Sequence, residues 1–184
     1  MNKTLITYAL IALAVMTITP QAKASHKVSA SSAALIQTPG ITNVDNRAQI
    51  LRDYLIKKNS PLADSAETFI KEADKNDLDW RLVVSISGLE SGFGKHIPVN
   101  SYNGWGWGIY GDNSLGFASW DDAISTISEG LRTKYMNKWG LSDIYSIGRT
   151  YASSPTWAQR VTFFMNDLEK FQTSWSDSTL SISI

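Results

Sequence analysis

The stretch Asp79-Trp-Arg-Leu-Val-Val-Ser-Ile-Ser-Gly-Leu-Glu-Ser-Gly-Phe-Gly94 decides how the rest of the chain is read. Asp79 offers the short acceptor of a helix N-cap, and Leu82, Val83, Ile86 and Leu89 fall at the spacings that one helical face requires. Only Ser85, Ser87 and Gly88 lie between them, so a helix from Trp80 to about Ser91 can be packed on nearly every side. Gly92 and Gly94 supply its stop. One acid, Glu90, closes this apolar helix. There the negative helix end and the loss of water both raise a carboxyl pKa, which is what a general acid needs to stay protonated near neutrality. The competing reading is an acid turned to solvent. Acids are ordinarily placed at the opposite helix end, so the position itself argues for chemistry.

Downstream, Ser101-Tyr-Asn-Gly-Trp-Gly-Trp-Gly-Ile-Tyr-Gly111 alternates glycine with large residues at period two, which predicts a short β-hairpin. As a strand it puts Trp105 and Trp107 on one face, with no side chains on the other. Flat rings beside bare backbone suit a pyranose chain, and filling a small core is an equally open reading for both. Asn103 fits an acetamido-binding role or a turn role. Trp80, Trp120 and Trp157 sit at helix starts or on buried stripes and are read as core. Tyr151 stands between two expected helices, where its hydroxyl either enters a cleft or bonds a carbonyl. Lys95 and His96 are read as solvated.

The remaining signals are helical. Asp45 caps a helix to about Lys58, and Ser60-Pro61 opens one ending near Asn76. Ser119-Trp-Asp-Asp122 is a capping box before Ala123, Ile124, Ile127, Leu131 and Tyr135. A short helix spans Ser142 to Thr150. Ser154-Pro155 starts the last, with Trp157, Val161, Phe164, Leu168 and Phe171 on one face. The expected class is α+β, mostly helical, with one small hairpin.

The 184 residues are 43% hydrophobic and 18% charged, with seven Trp and seven Tyr, a globular composition. Cysteine is absent and histidine occurs only at 26 and 96, which excludes thiol nucleophiles, disulfides and Cys-based zinc sites. No G-x-S-x-G elbow presents a serine. Carboxylates are left as the acid and base groups, and no metal or organic cofactor is implied.

Met1-Asn2-Lys3, the apolar run Leu5 to Ile18 and Ala22-Lys23-Ala24 form a signal peptide over 1–24, so export to the periplasm, cell wall or medium is expected. The run is short for a membrane span, and no stable span is expected after cleavage. Residues 25–44 read as a flexible Ser/Ala-rich spacer, 45–172 as the folded domain and 173–184 as a polar tail. The mature part carries 15 basic and 17 acidic residues, which argues against nucleic acid as a partner. A monomer is expected.

Several segments together resemble a known family. Gly88-Leu-Glu-Ser-Gly-Phe-Gly-Lys95 is similar to the A-L-E-S-G-W-G-K element of bacterial glucosaminidase domains, endo-β-N-acetylglucosaminidase-like enzymes of the lysozyme-like superfamily that cut peptidoglycan. Asn103-Gly-Trp-Gly-Trp-Gly-Ile-Tyr-Gly111 resembles their N-x-F/W-G-I-K-G hairpin, and Phe117-Ala-Ser-Trp-Asp-Asp-Ala-Ile124 their F-x-x-Y/W-x-x-A/S-I segment. Thr150-Tyr-Ala-Ser-Ser-Pro-Thr-Trp-Ala-Gln-Arg-Val161 resembles their Y-A-T-D-P-x-Y-A-x-K-V ending. The four occur in the family's order, over about residues 60 to 172.

The resemblance implies a lysozyme-like domain that hydrolyses β-1,4 bonds of peptidoglycan glycan strands. Glu90 is then the catalytic acid and Tyr151 the active-site tyrosine, and Asn103, Trp105, Trp107 and Tyr110 lie on the cleft wall. The family's T-D-P is Ser153-Ser154-Pro155 here, and a second carboxylate is not evident among Asp112, Asp121, Asp122 and Glu129. Substrate assistance by an acetamido group would remove the need for one. A lytic transglycosylase leaving 1,6-anhydro ends is the alternative enzyme, although the G-L-M-Q segment of that family is missing. A non-catalytic glycan-binding module is the alternative from another class.

Overall fold

The computed structural model describes residues 45–108 and 115–181, with side chains up to 177. The expected signal peptide and spacer, together with Tyr110 and Asp112, lie outside the described residues.

Helix α1, Arg47–Lys57, begins where Asp45 accepts the Arg47 N–H at 3.1 Å, and it buries Ile50, Leu51, Tyr54 and Leu55. The helix expected from Ser60 starts later. The Ser60 hydroxyl donates to the Phe93 carbonyl at 2.8 Å and accepts the Leu62 N–H at 3.1 Å. That commitment leaves only a 3₁₀ turn, Ala63–Ser65, before α2, Ala66–Lys75.

Helix α3, Trp80–Ser91, keeps its expected limits because both ends are specified chemically. Asp79 accepts the Arg81 N–H at 2.9 Å, and Gly92 closes the helix at φ +60°. Helices α2, α4 (Trp120–Gly130) and α6 (Trp157–Ser181) pack around it, so that every residue from Leu82 to Gly88 is buried. Phe93 and Gly94 follow Gly92 in the left-handed region, at φ +63° and +80°. A phenylalanine is strained there, typically by about 1–3 kcal/mol. Its ring is buried edge-on to Tyr54 and Phe164, at 5.7 and 5.3 Å, which offsets the strain.

The Ser119–Asp122 cap forms, with the Asp122 N–H donating to Ser119 Oγ at 3.1 Å. Beyond Gly130 the chain widens into a π-helical turn, Leu131–Lys138. Helix α5, Ile144–Tyr151, is opened by a capping box between Asp143 and Ser146. The last helix is longer than expected, since α6 runs to Ser181, into the segment read as a polar tail. Trp175 anchors that extension by donating from Nε1 to Asp53 Oδ2 of α1 at 2.8 Å, while polar neighbours face solvent, so no apolar stripe marked it.

The hairpin also needs correction: among the described residues there is no strand. Tyr102, Gly106 and Gly108 adopt φ of +48°, +64° and +65°, which breaks the extended conformation that period-two alternation implied. Trp105 and Trp107 therefore do not share a face. Trp105 is wholly buried beside Phe69 and Trp120 and donates from Nε1 to the Val83 carbonyl of α3 at 2.8 Å. It is a core residue rather than a cleft residue.

Truncating Trp105 to Ala should lower the unfolding free energy in urea by about 3–5 kcal/mol. Retained stability with weakened glycan binding would return Trp105 to the cleft.

Candidate active site

Glu90 stands one residue before the end of α3, and the left-handed turn at Gly92 follows. The side chain is exposed, yet its two oxygens have different surroundings. Oε1 accepts the Nε1–H of Trp157 at 2.7 Å. Oε2 faces Gly106, where a Cβ would stand 3.6 Å away, so this oxygen looks onto bare backbone. Loss of water around the carboxyl raises the Glu90 pKa, and the Trp157 bond and the Arg160 cation oppose that rise.

Helices α5 and α6 aim the indole. At Gly148 a Cβ would meet the Trp157 ring at 2.8 Å, so only glycine lets α5 lie this close to it. Tyr151, nearly one turn further along α5, stacks on the same indole at 4.8 Å between centroids, with 28° between planes. The Tyr151 hydroxyl is not free to enter a cleft: it donates to the Trp105 carbonyl at 2.8 Å. Burial and the neighbouring Glu90 charge push this phenol well above its ordinary pKa. It is therefore a permanent donor at neutral pH.

The loop from 101 to 108 is tied down from two sides. Ser91 Oγ donates to the Gly104 carbonyl at 2.7 Å, with the Ser87 carbonyl also in reach at 3.0 Å, and accepts the Gly94 N–H at 2.8 Å. Asn103 sits inside the loop. Its Nδ2 donates to the carbonyls of Trp107 (2.8 Å) and Leu115 (2.9 Å), and its Oδ1 accepts the N–H groups of Trp107 (3.0 Å) and Trp105 (3.4 Å). With its amide fully engaged, Asn103 has no capacity left for an acetamido group. The turn role is the one found.

Trp107 does face a cavity, of about 450 Å³, which Gly106, Gly108, Tyr135, Trp139 and Tyr151 also line. Its ring nests against Gly130, where a Cβ would lie 2.6 Å from it. Sequence reasoning missed three contributors. Trp157 lies in the core as expected, yet its N–H reaches Glu90. Tyr135 continues the apolar positions of α4, and Trp139 is presented by a π-helical turn that has no sequence period. Lys95 and His96 are exposed, as expected. Asp122 is committed to its helix cap, with Oδ2 accepting the Ala118 N–H at 3.0 Å, and among the described residues Arg160 is the charge that acts on Glu90. A larger cavity, of about 660 Å³, lies away from Glu90 between the start of α3, the π-helical turn, α5 and α6.

The fold has a counterpart among solved structures. A catalytic mutant of Staphylococcus aureus autolysin E, crystallised with the disaccharide NAG-NAM, superimposes with a TM-score of 0.59 at 19% identity. The chain has a glucosaminidase-like fold. The match spans 67% of this chain and 66% of that one, just under two thirds of its length. No family model and no curated protein sequence matches the chain. No helix among the described residues is long and apolar enough to cross a membrane.

The sign of each influence on Glu90 is testable. The Trp157 N–H stabilises the ionised carboxylate, so Trp157→Phe should raise the Glu90 pKa above its wild-type value. Arg160→Gln should move it in the same direction by less. A ¹³C-detected titration of the Glu90 side chain reads both shifts; unchanged titration in Trp157→Phe would show that the bond does not act on the acid.

Proposed function

We propose that the protein is an exported peptidoglycan hydrolase that cleaves β-1,4 bonds of the glycan strand, of N-acetylglucosaminidase type, with Glu90 as its single catalytic acid. The observation that carries this reading is the unequal holding of the Glu90 carboxyl on a glucosaminidase-like fold. Trp157 occupies Oε1, and Oε2 is left facing the bare backbone of Gly106, where a glycosidic oxygen can approach. Desolvation favours the protonated form that donation requires. The bound NAG-NAM of the autolysin E structure supports a glycan strand as the substrate class.

In this scheme the Glu90 Oε2 proton passes to the leaving oxygen as the bond to the anomeric carbon breaks. The acetamido oxygen of the same sugar stabilises the developing positive charge, which replaces a second carboxylate. Glu90, now ionised, takes a proton from the water that completes hydrolysis. Tyr151 serves as a positioning residue. Its hydroxyl holds the Trp105 carbonyl beneath Gly106, and its ring backs the Trp157 indole. Trp107 offers a ring to the sugar chain.

Glu90→Gln should lower cleavage of purified peptidoglycan on the order of a hundred- to ten-thousandfold, because the amide keeps the acceptor for Trp157 and loses the transferable proton. Stability should not fall. A carboxyl whose folded pKa is raised contributes stability below its ordinary value of 4.5 and loses it as pH rises past the folded value. The amide should therefore match or slightly exceed the wild-type melting temperature at pH 7. Mass spectrometry of product ends completes the test: reducing N-acetylglucosamine ends are expected, 1,6-anhydro ends would make the protein a transglycosylase, and intact strands would leave a binding module.

A further inference from the structure

The cavity lined by Gly106, the residue that Glu90 Oε2 faces, has an end that the cleavage scheme does not use. Past Tyr151 it reaches the π-helical turn Leu131–Lys138 and the residue that caps it, Trp139. π-Helical geometry is rare and concentrates at functional sites, because the wider turn re-aims side chains that an α-helix would send elsewhere. Here it brings Lys134, Tyr135 and Trp139 to one wall with Trp107. Tyr135 and Trp139 meet edge to face at 4.9 Å, Trp107 lies 5.7 Å from Tyr135, and Lys134 stands beside them.

The chemistry of that wall is asymmetric. Trp139 is exposed at 47%, a large apolar ring left open to solvent at the mouth of a cavity. Lys134 is the cation on the lining, and among the described residues no acid lines it or lies within ion-pair distance of the Lys134 ammonium. A neutral sugar chain would be served by the rings and the bare backbone alone. A cation added to an aromatic platform fits a pyranose that carries an anionic substituent.

We propose that the π-helical wall is a subsite for a carboxylate-bearing sugar, stacked on Trp139 with its carboxylate paired to Lys134. Resting on the peptidoglycan reading, this assigns the far end of the cavity to the muramic acid unit, whose O3 substituent supplies the carboxylate. In a peptide-free strand that group is the lactyl carboxylate itself; where a stem peptide is attached, the lactyl group is an amide and the peptide supplies the anion. The subsite would make the enzyme prefer muramic-containing strands over chitin-like ones at the step of binding, separately from the acid chemistry at Glu90.

Isothermal titration with the full chain carrying Glu90→Gln separates binding from turnover. The ligands are a peptide-free tetrasaccharide of alternating N-acetylglucosamine and muramic acid, the same tetrasaccharide bearing stem peptides, and chitotetraose. Adding Lys134→Met should weaken the peptide-free muramic ligand about five- to tenfold, as expected for one charge-assisted contact, and leave chitotetraose unchanged. Trp139→Ala should weaken both. A loss with Lys134→Met confined to the peptide-bearing ligand supports the subsite and gives the stem as the source of the anion. Equal losses for charged and neutral ligands, or none, overturn the subsite while the hydrolase reading stands. Failure of all three ligands to bind overturns both.

Discussion

The indole of Trp105, sealed in the core and donating to the Val83 carbonyl, fixes where every group of the site can stand. Its backbone carbonyl receives Tyr151, the next residue is the glycine that faces Glu90, and the residue after that turns into the cavity. A loop of alternating glycine and tryptophan has little intrinsic order, since glycine loses the most conformational freedom on folding. Burying one large ring, with its N–H satisfied by the central helix, supplies the ordering that the backbone lacks. Asn103 and Ser91 then hold the remaining loop carbonyls and N–H groups. The cleft wall is thus an extension of the core.

The same core logic reaches the acid. Trp157 is buried between α5 and Glu90, and an indole N–H can only donate. The resembled family pattern has tyrosine at this place, whose hydroxyl could rotate and accept a proton from a neutral carboxyl. Tryptophan has no such freedom, so its bond always favours the ionised acid and opposes the desolvation that favours the neutral one. The raised pKa of Glu90 is the residue of that contest. It also sorts the two oxygens: the one that Trp157 holds is a poor place for the proton, which leaves the proton on the oxygen that faces Gly106.

Helix α3 was legible because each of its features is local: a capping Asp79, apolar residues at helical spacing, small residues between, and a glycine at the stop. The caps at Ser119 and near Ser142 were legible for the same reason, although the second is made by Asp143. The 101–108 loop was misread because period-two alternation reports which residues are large, and a strand is only one way to space them. With glycine between the tryptophans the chain could adopt left-handed turns instead, which send consecutive rings to opposite sides. The pairing of Trp157 with Glu90 spans 67 positions and had no local signature. The π-helical turn is similar: nothing in Leu131–Lys138 announces a wider turn, and so Trp139 could not be placed.

The surroundings of Glu90 and the aromatic wall obey one constraint. Among the described residues the neighbours of Glu90 include an indole, a phenol held neutral by burial, and glycine backbone, with Arg160 as the cation that acts on it. A second ionised carboxylate in these surroundings would lose its water as Glu90 does and would repel it as well, driving one of the pair to hold its proton permanently. Such a pair could be kept charged only by bringing in more cations or donors, at the expense of the flat apolar surface that a sugar ring needs. An aromatic wall of this kind therefore disfavours a second ionised acid beside Glu90.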